Sequence, residues 1–137
     1  MKDNYFVEIL NVVKSQSTCS RLKVGAVLVK DGRIISTGWN GTVAGAKHCN
    51  QIKHTNHHEF SINNEIHAEA NCIGYAARNG VKTEDTTLYV NISPCIHCAK
   101  LIKAAGISIV YYVEEYDNVE ENGLKFLINS GVAVKKI

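Results

Sequence analysis

The spacing of hydrophobic residues in the first forty positions predicts one helix followed by a β-hairpin. Apolar side chains recur at the i, i+3, i+4 and i+7 positions of an amphipathic helix, at Phe6, Ile9, Leu10 and Val13. Residues 24–29 form a nearly continuous apolar run, which is typical of a buried strand. Asp31-Gly32 is a hairpin turn signal, so residues 33–39 are expected to return as an antiparallel strand.

Helical and strand periodicities then alternate through the second half of the chain. Residues 66–78 are predicted to form a helix that ends at Asn79-Gly80. One face of this helix carries the apolar residues Ile66, Ala70, Ile73 and Ala77. Residues 87–92 alternate as a strand, and Pro94 opens a second helix that runs to about residue 105.

The last thirty residues repeat this order of elements. Residues 107–113 are rich in β-branched and aromatic side chains and are predicted to form a strand. Leu124, Leu127 and Ile128 mark a helix before Gly131, and residues 132–134 form the final strand. Strand–helix–strand order implies parallel neighbours joined by right-handed crossovers. The pattern therefore predicts one three-layer α/β/α domain over residues 1–137, built around a five-stranded mixed sheet.

Residues 40–64 lack this periodicity and are predicted to form a long loop. A loop of this length inside a compact domain usually has a function or an internal cross-link. The segment contains five side chains that bind metals well, namely His48, Cys49, His54, His57 and His58. Metal ligation would account for the loop.

Composition and charge narrow the class of protein. The chain has 137 residues, of which 45% are hydrophobic and 20% are charged, as in an ordinary globular protein. The formal net charge of +2 and the lack of a lysine or arginine run argue against a nucleic-acid partner. No stretch approaches the roughly 20 apolar residues of a membrane span. The N-terminus has no signal-peptide character, so a cytoplasmic location is expected.

In a reducing compartment, the five cysteines favour metal binding or catalysis over disulfide bonds. Cys72 lies in an apolar helical pattern and is expected to be a buried thiol without a chemical role. The other four are Cys19, Cys49, Cys95 and Cys98.

Cys95 and Cys98 lie three residues apart, so on a helix they share one face. Pro94 fixes the backbone where that helix begins, and a helix N-terminus stabilises the thiolates that bind zinc. A hydrolytic zinc site needs three protein ligands and one open position for water. We expect His67 to be the third ligand.

Glu69 is predicted to be the catalytic base beside this metal. His67 and Glu69 are two residues apart, so both reach one site only if the helix begins near residues 65–67. Glu69 would take a proton from water, deliver it to a ring nitrogen and later protonate the leaving amine. Taken alone, C-x-x-C is as often a structural zinc half-site or a redox pair, and H-x-E alone carries little information.

H-x-E followed by P-C-x-x-C is the signature of zinc-dependent nucleobase deaminases. The chain resembles the cytidine deaminase superfamily and, within it, the phage-type deoxycytidylate (dCMP) deaminases. Besides the metal motif, the resemblance rests on residues 19–27 (CSRLKVGAV), 38–41 (GWNG) and 64–71 (NEIHAEAN). It implies a cytidine deaminase-like fold and hydrolysis of dCMP to dUMP and ammonia, which supplies thymidylate synthesis in the cytoplasm, or in the host cytoplasm if the chain is phage-encoded.

The resemblance also implies a second, structural zinc in addition to the catalytic one. Its matching ligands are Cys19, Cys49, His57 and Glu65, and His58 is the alternative to His57. Four such ligands with no open position describe a structural site. That metal would hold the long loop against the first helix and the start of the catalytic helix.

Further residues match family positions that contact substrate or effectors. The substrate-binding matches are Arg21 and Lys23 for the phosphate, Asn40 for the sugar, and Ser93 and Tyr116 in the pocket. Arg21 and Lys23 could equally be solvated surface charges. Family members are commonly hexamers that are activated by dCTP with Mg²⁺ and inhibited by dTTP, and Tyr75 and Arg78 match positions implicated in that regulation.

Two other functions compete with this interpretation. The chain could be another deaminase of the superfamily, acting on cytidine, guanine or tRNA adenosine. It could instead be a binding module that is cross-linked by zinc and has no activity. Glu69 distinguishes this second alternative, because a purely structural metal site does not require it.

Overall fold

The computed structural model describes residues 2–19, 21–51, 56–118 and 120–137. Ser20 in the first motif and His54 in the predicted loop lie outside these ranges. The helices are α1 (Lys2–Lys14), α2 (His57–Asn64), α3 (Ala68–Arg78), α4 (Ile96–Ala104) and α5 (Leu124–Asn129). The strands are β1 (Gly25–Lys30), β2 (Arg33–Trp39), β3 (Gly41–Thr42), β4 (Glu65–Ile66), β5 (Thr87–Ile92), β6 (Ile109–Glu114) and β7 (Ala133–Lys136).

Five strands form one mixed sheet in the order β2-β1-β5-β6-β7. β1 pairs antiparallel with β2 and with β5, whereas β5, β6 and β7 run parallel. Asp31 and Gly32, with φ angles of 53° and 75°, form the turn between β1 and β2, as type I′ hairpins require. The predicted hairpin, the five-stranded mixed sheet and the parallel second half are confirmed.

Helices cover both faces of the sheet. On one face, Phe6 and Leu10 of α1 pack against Val27 of β1 and Tyr89 of β5. On the other face, buried residues of α3, α4 and α5 meet the opposite side of β1, β5 and β6, and Ile102 is among them. This arrangement confirms the predicted three-layer α/β/α fold.

The predicted loop over residues 40–64 is wrong in part, because it contains α2 and the short strand β3. β3 pairs antiparallel with β4, and the side chain of Asn56 caps α2 by accepting from the Glu59 N–H at 3.1 Å. No residue of α2 is buried. The helix therefore has no apolar stripe that periodicity could detect.

The predicted apolar face of α3 is wrong in part, although Ile73 is buried as expected. Ile66 belongs to β4 and Ala77 is exposed, whereas the buried face includes Ala68 and Cys72. The reason is a close approach to β2, because a Cβ atom at Gly38 would collide with the backbone nitrogen of Cys72. This approach turns α3 by about one residue relative to the predicted face.

Other boundaries differ from prediction by a few residues. α4 begins at Ile96 with Cys95 as its N-cap, so Pro94 precedes the helix rather than opening it. β6 and β7 begin later than the predicted residues 107 and 132. Among the described residues, no helix has the length and apolar character needed to cross a bilayer.

Candidate active site

The three predicted ligands of the catalytic metal come from two helix starts. His67 is the N-cap residue of α3, and Cys95 is the N-cap of α4. The Cys95 sulfur accepts the Cys98 backbone N–H at 3.5 Å, which fixes both cysteines on the first turn of α4. A helix start presents free backbone N–H groups, and these favour negative charge on the sulfur atoms.

The distances between these ligand atoms match those of a zinc site. His67 Nδ1 lies 3.5 Å from the Cys95 sulfur and 3.4 Å from the Cys98 sulfur. Tetrahedral zinc with ordinary Zn–N and Zn–S bonds separates such atoms by about 3.6 Å. The donor set and its spacing therefore fit zinc, and three protein ligands leave the fourth position open.

Hydrogen bonding among the three ligands separates the pKa values of the two thiols. The pKa of Cys95 is lowered, chiefly because the Cys98 side chain donates to its sulfur. The pKa of Cys98 is raised because the two sulfurs share that proton, and burial adds to the rise. The contact with Cys95 also raises the pKa of His67. Metal binding would release these protons.

Glu69 lies in the first turn of α3, two residues after His67, and is only 4% exposed. Burial raises the pKa of its carboxyl group to about 7. A carboxyl with this pKa both accepts and donates protons near neutral pH, as general acid–base catalysis requires. The side chain lines a cavity that His67 and Cys95 also line.

The second predicted ligand set is also brought together. The ligand atoms of Cys19, Cys49, His57 and Glu65 all lie within 4.8 Å of one another. His57 Nε2 is 3.2 Å from the Cys19 sulfur and 3.9 Å from Glu65 Oε1. The cluster includes His57 rather than its neighbour His58, although both line the cavity described below.

Both clusters border one cavity of about 520 Å³. Four of the predicted substrate residues line it, namely Arg21, Asn40, Ser93 and Tyr116. Lys23 does not line it, and its ammonium group donates to the backbone oxygen of Ser17 at 2.7 Å.

Asn40 and Ser93 have structural partners as well as cavity positions. The amide group of Asn40 accepts from the Val24 N–H and donates to the Leu22 oxygen, both at 2.8 Å. The Ser93 hydroxyl accepts the Tyr116 N–H at 2.7 Å. Ser93 therefore holds the backbone of Tyr116 at the cavity wall.

Sequence reasoning missed Glu121 and Asn122, which form hydrogen bonds to Tyr116 in the loop after β6. The Tyr116 hydroxyl donates to Glu121 Oε2 at 3.2 Å, and Asn122 donates to the Tyr116 oxygen at 3.4 Å. Burial and the neighbouring Glu121 raise the pKa of Tyr116. Asn122 also pairs through its backbone with Cys95, so the loop is joined to the metal-binding turn. Asn and Glu in a polar loop carry no pattern that would have revealed this.

The two residues predicted to contact effectors lie away from the cavity. Tyr75 and Arg78 are both exposed, and both belong to the C-terminal half of α3. Neither lines the cavity described above. A role in regulation therefore stays a prediction.

Comparisons with known proteins agree with this site. A family model described as the cytidine and deoxycytidylate deaminase zinc-binding region matches residues 1–114. The deoxycytidylate deaminase of Enterobacteria phage T2 is 38% identical, over 98% of this chain and 91% of its own length. ComE operon protein 2 of Bacillus subtilis (strain 168) is 36% identical, over 98% of this chain and 70% of its own length.

One solved structure is similar to this chain in both sequence and architecture. The dCMP deaminase from the cyanophage S-TIM5, in complex with dCMP and dUMP, superposes with a TM-score of 0.84 at 31% identity. The match covers 98% of this chain and 96% of that one. Since the family model also spans most of the sequence, the chain belongs to the cytidine and deoxycytidylate deaminase family.

Proposed function

We propose that the protein catalyses the hydrolytic deamination of dCMP to dUMP and ammonia. The observation that carries this proposal is the buried carboxyl of Glu69, which lines one cavity together with His67 and Cys95 of the ligand cluster. The deoxycytidylate deaminase of phage T2 and the dCMP complex of the cyanophage enzyme give the substrate class. The pattern is that of a deaminase rather than of a structural zinc module, which needs no such carboxyl group.

Each residue of the site then has a separate role. His67, Cys95 and Cys98 would hold the zinc, which supplies Lewis acidity toward water when it is bound. Glu69 takes one proton from the attacking water and passes it to N3 of the cytosine ring, then takes the second proton from the new hydroxyl group at C4 and delivers it to the leaving amine. Its burial keeps bulk water from competing for that proton.

The nucleotide would enter with its phosphate toward Arg21. Among the described residues that line the cavity, Arg21 is the sole arginine or lysine. A guanidinium group binds phosphate through paired hydrogen bonds. Tyr116 would lie beside the pyrimidine ring and Asn40 beside the sugar. Lys23, which donates to the Ser17 oxygen, stays a predicted phosphate contact.

The substitution Glu69→Gln tests the mechanism. We expect the variant to retain its fold and zinc while turnover of dCMP falls by about 10²–10⁴-fold, because the amide cannot carry the proton. Glu8→Gln on the exposed side of α1 is the matched control and should be as active as the wild type. Undiminished turnover in Glu69→Gln would refute the mechanism.

A substrate panel tests the assignment to dCMP. Purified protein is offered dCMP, deoxycytidine and a tRNA anticodon stem-loop, and ammonia release is measured for each. We expect dCMP to react fastest, because Arg21 would bind its phosphate. Reaction with the nucleoside or the RNA, and none with dCMP, would replace this proposal with another deaminase function.

We also propose that Cys19, Cys49, His57 and Glu65 hold a structural zinc. Nitrogen, sulfur and oxygen ligands with no open position are typical of such sites. Metal analysis should then give about two zinc ions per wild-type chain and about one in Cys19→Ala. Cys72→Ala, which removes a thiol outside both clusters, should still bind two.

The remaining properties implied by the family resemblance stay predictions. They comprise activation by dCTP with Mg²⁺, inhibition by dTTP, assembly into hexamers and a cytoplasmic location. We further infer one deaminase domain over residues 1–137, because β1 and β2 share their sheet with the C-terminal strand β7.

A further inference from the structure

Two buried polar atoms lack a hydrogen-bond partner within the described part of the chain. They are the hydroxyl oxygen of Thr42 and the carboxylate oxygen Oε2 of Glu65. A buried polar group without a partner is costly, so such atoms are rare in folded proteins. One of the two can donate a hydrogen bond and the other can accept it.

The strand register places these two residues side by side. Thr42 of β3 and Glu65 of β4 are directly opposite in an antiparallel pair. Directly opposite residues project from the same face of the ribbon, with their Cβ atoms about 4.5–5.5 Å apart. Rotation about side-chain bonds is therefore enough to bring the Thr42 hydroxyl to Glu65 Oε2.

The other oxygen of the same carboxylate belongs to the second cluster. Glu65 Oε1 lies 3.8 Å from the Cys19 sulfur and 3.9 Å from His57 Nε2. The Glu65 side chain is only 2% exposed, so solvent cannot easily provide the missing donor. One carboxylate oxygen thus faces the ligand cluster, and the other needs a donor.

We infer that Thr42 is a positioning residue for the structural metal: its hydroxyl donates to Glu65 Oε2 and leaves Oε1 as the single ligating oxygen. This inference rests on the structural zinc proposed above. Hydrogen bonds to the outer atoms of metal ligands fix ligand orientation and tune affinity. The Thr42 hydroxyl would also prevent the carboxylate from turning both oxygens to the metal.

The isosteric substitution Thr42→Val removes the hydroxyl while keeping the shape of the side chain. In the zinc-loaded full-length protein, we expect a competing chelator to remove the second zinc at about 10–100-fold lower concentration. The catalytic zinc should be lost as in the wild type. Thr42→Ser, which restores the donor, should recover most of the affinity.

Two controls separate this effect from a general loss of strand stability. Thr37→Val replaces a threonine of β2 outside both clusters, and it should leave both metals as tightly bound as in the wild type. If Thr42→Val holds the second zinc as tightly as the wild type, the inference is refuted although the structural zinc stands. A wild-type chain that binds only one zinc refutes both.

A crystal structure of the zinc-loaded wild type gives a test that needs no variant. We expect the Thr42 hydroxyl oxygen within about 2.5–3.0 Å of Glu65 Oε2, with the metal on Oε1. A separation beyond hydrogen-bond distance, or a metal bound by both oxygens, would overturn the role of Thr42.

Discussion

The substitution Gly123→Ala should destabilise the protein through close contacts with Cys95 and Ala99 at the start of α4. Gly123 caps the start of α5, and its N–H donates to the Pro94 oxygen at 2.8 Å. Its φ angle of −90° suits alanine as well as glycine, so the substitution strains no backbone dihedral. Any effect must therefore come from the added methyl group.

The space around Gly123 sets the size of the effect. An added Cβ would lie 2.5 Å from the Ala99 Cβ and 2.6 Å from the Cys95 oxygen. Carbon atoms normally pack at about 3.5–4.0 Å, so the segment must move by about 1 Å. Neither neighbour is the end of a flexible side chain. Overpacking of this kind costs about 1–3 kcal/mol of unfolding free energy.

Denaturant unfolding of the zinc-loaded protein measures this loss, and chelator competition measures zinc affinity. We expect both to fall in Gly123→Ala, because Cys95 and the Gly123 segment must separate. Gly74→Ala is the matched control: its Cβ meets nothing within 4 Å on α3. Helix propensity predicts that it gains about 0.5–1 kcal/mol. The reasoning is refuted if Gly123→Ala is as stable as the wild type.

Three further predictions concern pH, the cavity wall and the metals. Burial raises the pKa of Cys72 to about 12. Above about pH 9 the thiol loses its proton in the unfolded state but keeps it in the folded state, so the stability that the wild type has at neutral pH declines as pH rises. Between about pH 9 and 11, the free energy of unfolding should therefore fall with pH by up to about 1.4 kcal/mol per unit less in Cys72→Ala than in the wild type. Equal pH dependence in the two proteins would contradict this. Ser93→Ala should raise KM for dCMP with zinc content unchanged, because the Tyr116 backbone N–H loses the hydroxyl oxygen that accepts it; steady-state kinetics beside metal analysis will show whether it does. Removal of zinc with a chelator should abolish turnover and lower the melting temperature, and added zinc should restore both; turnover by the metal-free protein would exclude the proposed chemistry.

Most of the sheet could be predicted because its residues alternate strongly or form apolar runs. β1 packs against helices on both faces, which gives the continuous run at residues 24–29. α2 could not be predicted in this way because it buries no side chain. The face of α3 was misplaced because Gly38 sets its orientation through a contact between distant segments. Local periodicity carries no information on such contacts.

Some residues of the candidate site could likewise be predicted from the sequence, and others could not. The clustering of His67, Cys95 and Cys98 could be predicted because zinc requires particular residue types at fixed spacing. The roles of Glu121 and Asn122 could not, because these residues act through hydrogen bonds to a loop that only the fold brings to Cys95. The hydrogen bond from the Lys23 ammonium group to the Ser17 oxygen could not be predicted either, and the phosphate contact of Lys23 stays a prediction.

The acidic side chains at the cavity make substrate capture depend on ionic strength. Four carboxylates line the cavity near its Tyr116 wall, namely Glu114, Glu115, Asp117 and Glu121, against the single guanidinium of Arg21. A nucleoside monophosphate is therefore repelled by these carboxylates as it nears the cavity and attracted only when its phosphate reaches Arg21. At physiological salt this repulsion acts only within about 8 Å, and at longer range the net charge of +2 on the chain opposes it. Rising salt should thus weaken the repulsion that an anionic nucleotide meets at the cavity wall, while an uncharged nucleoside would show no such change.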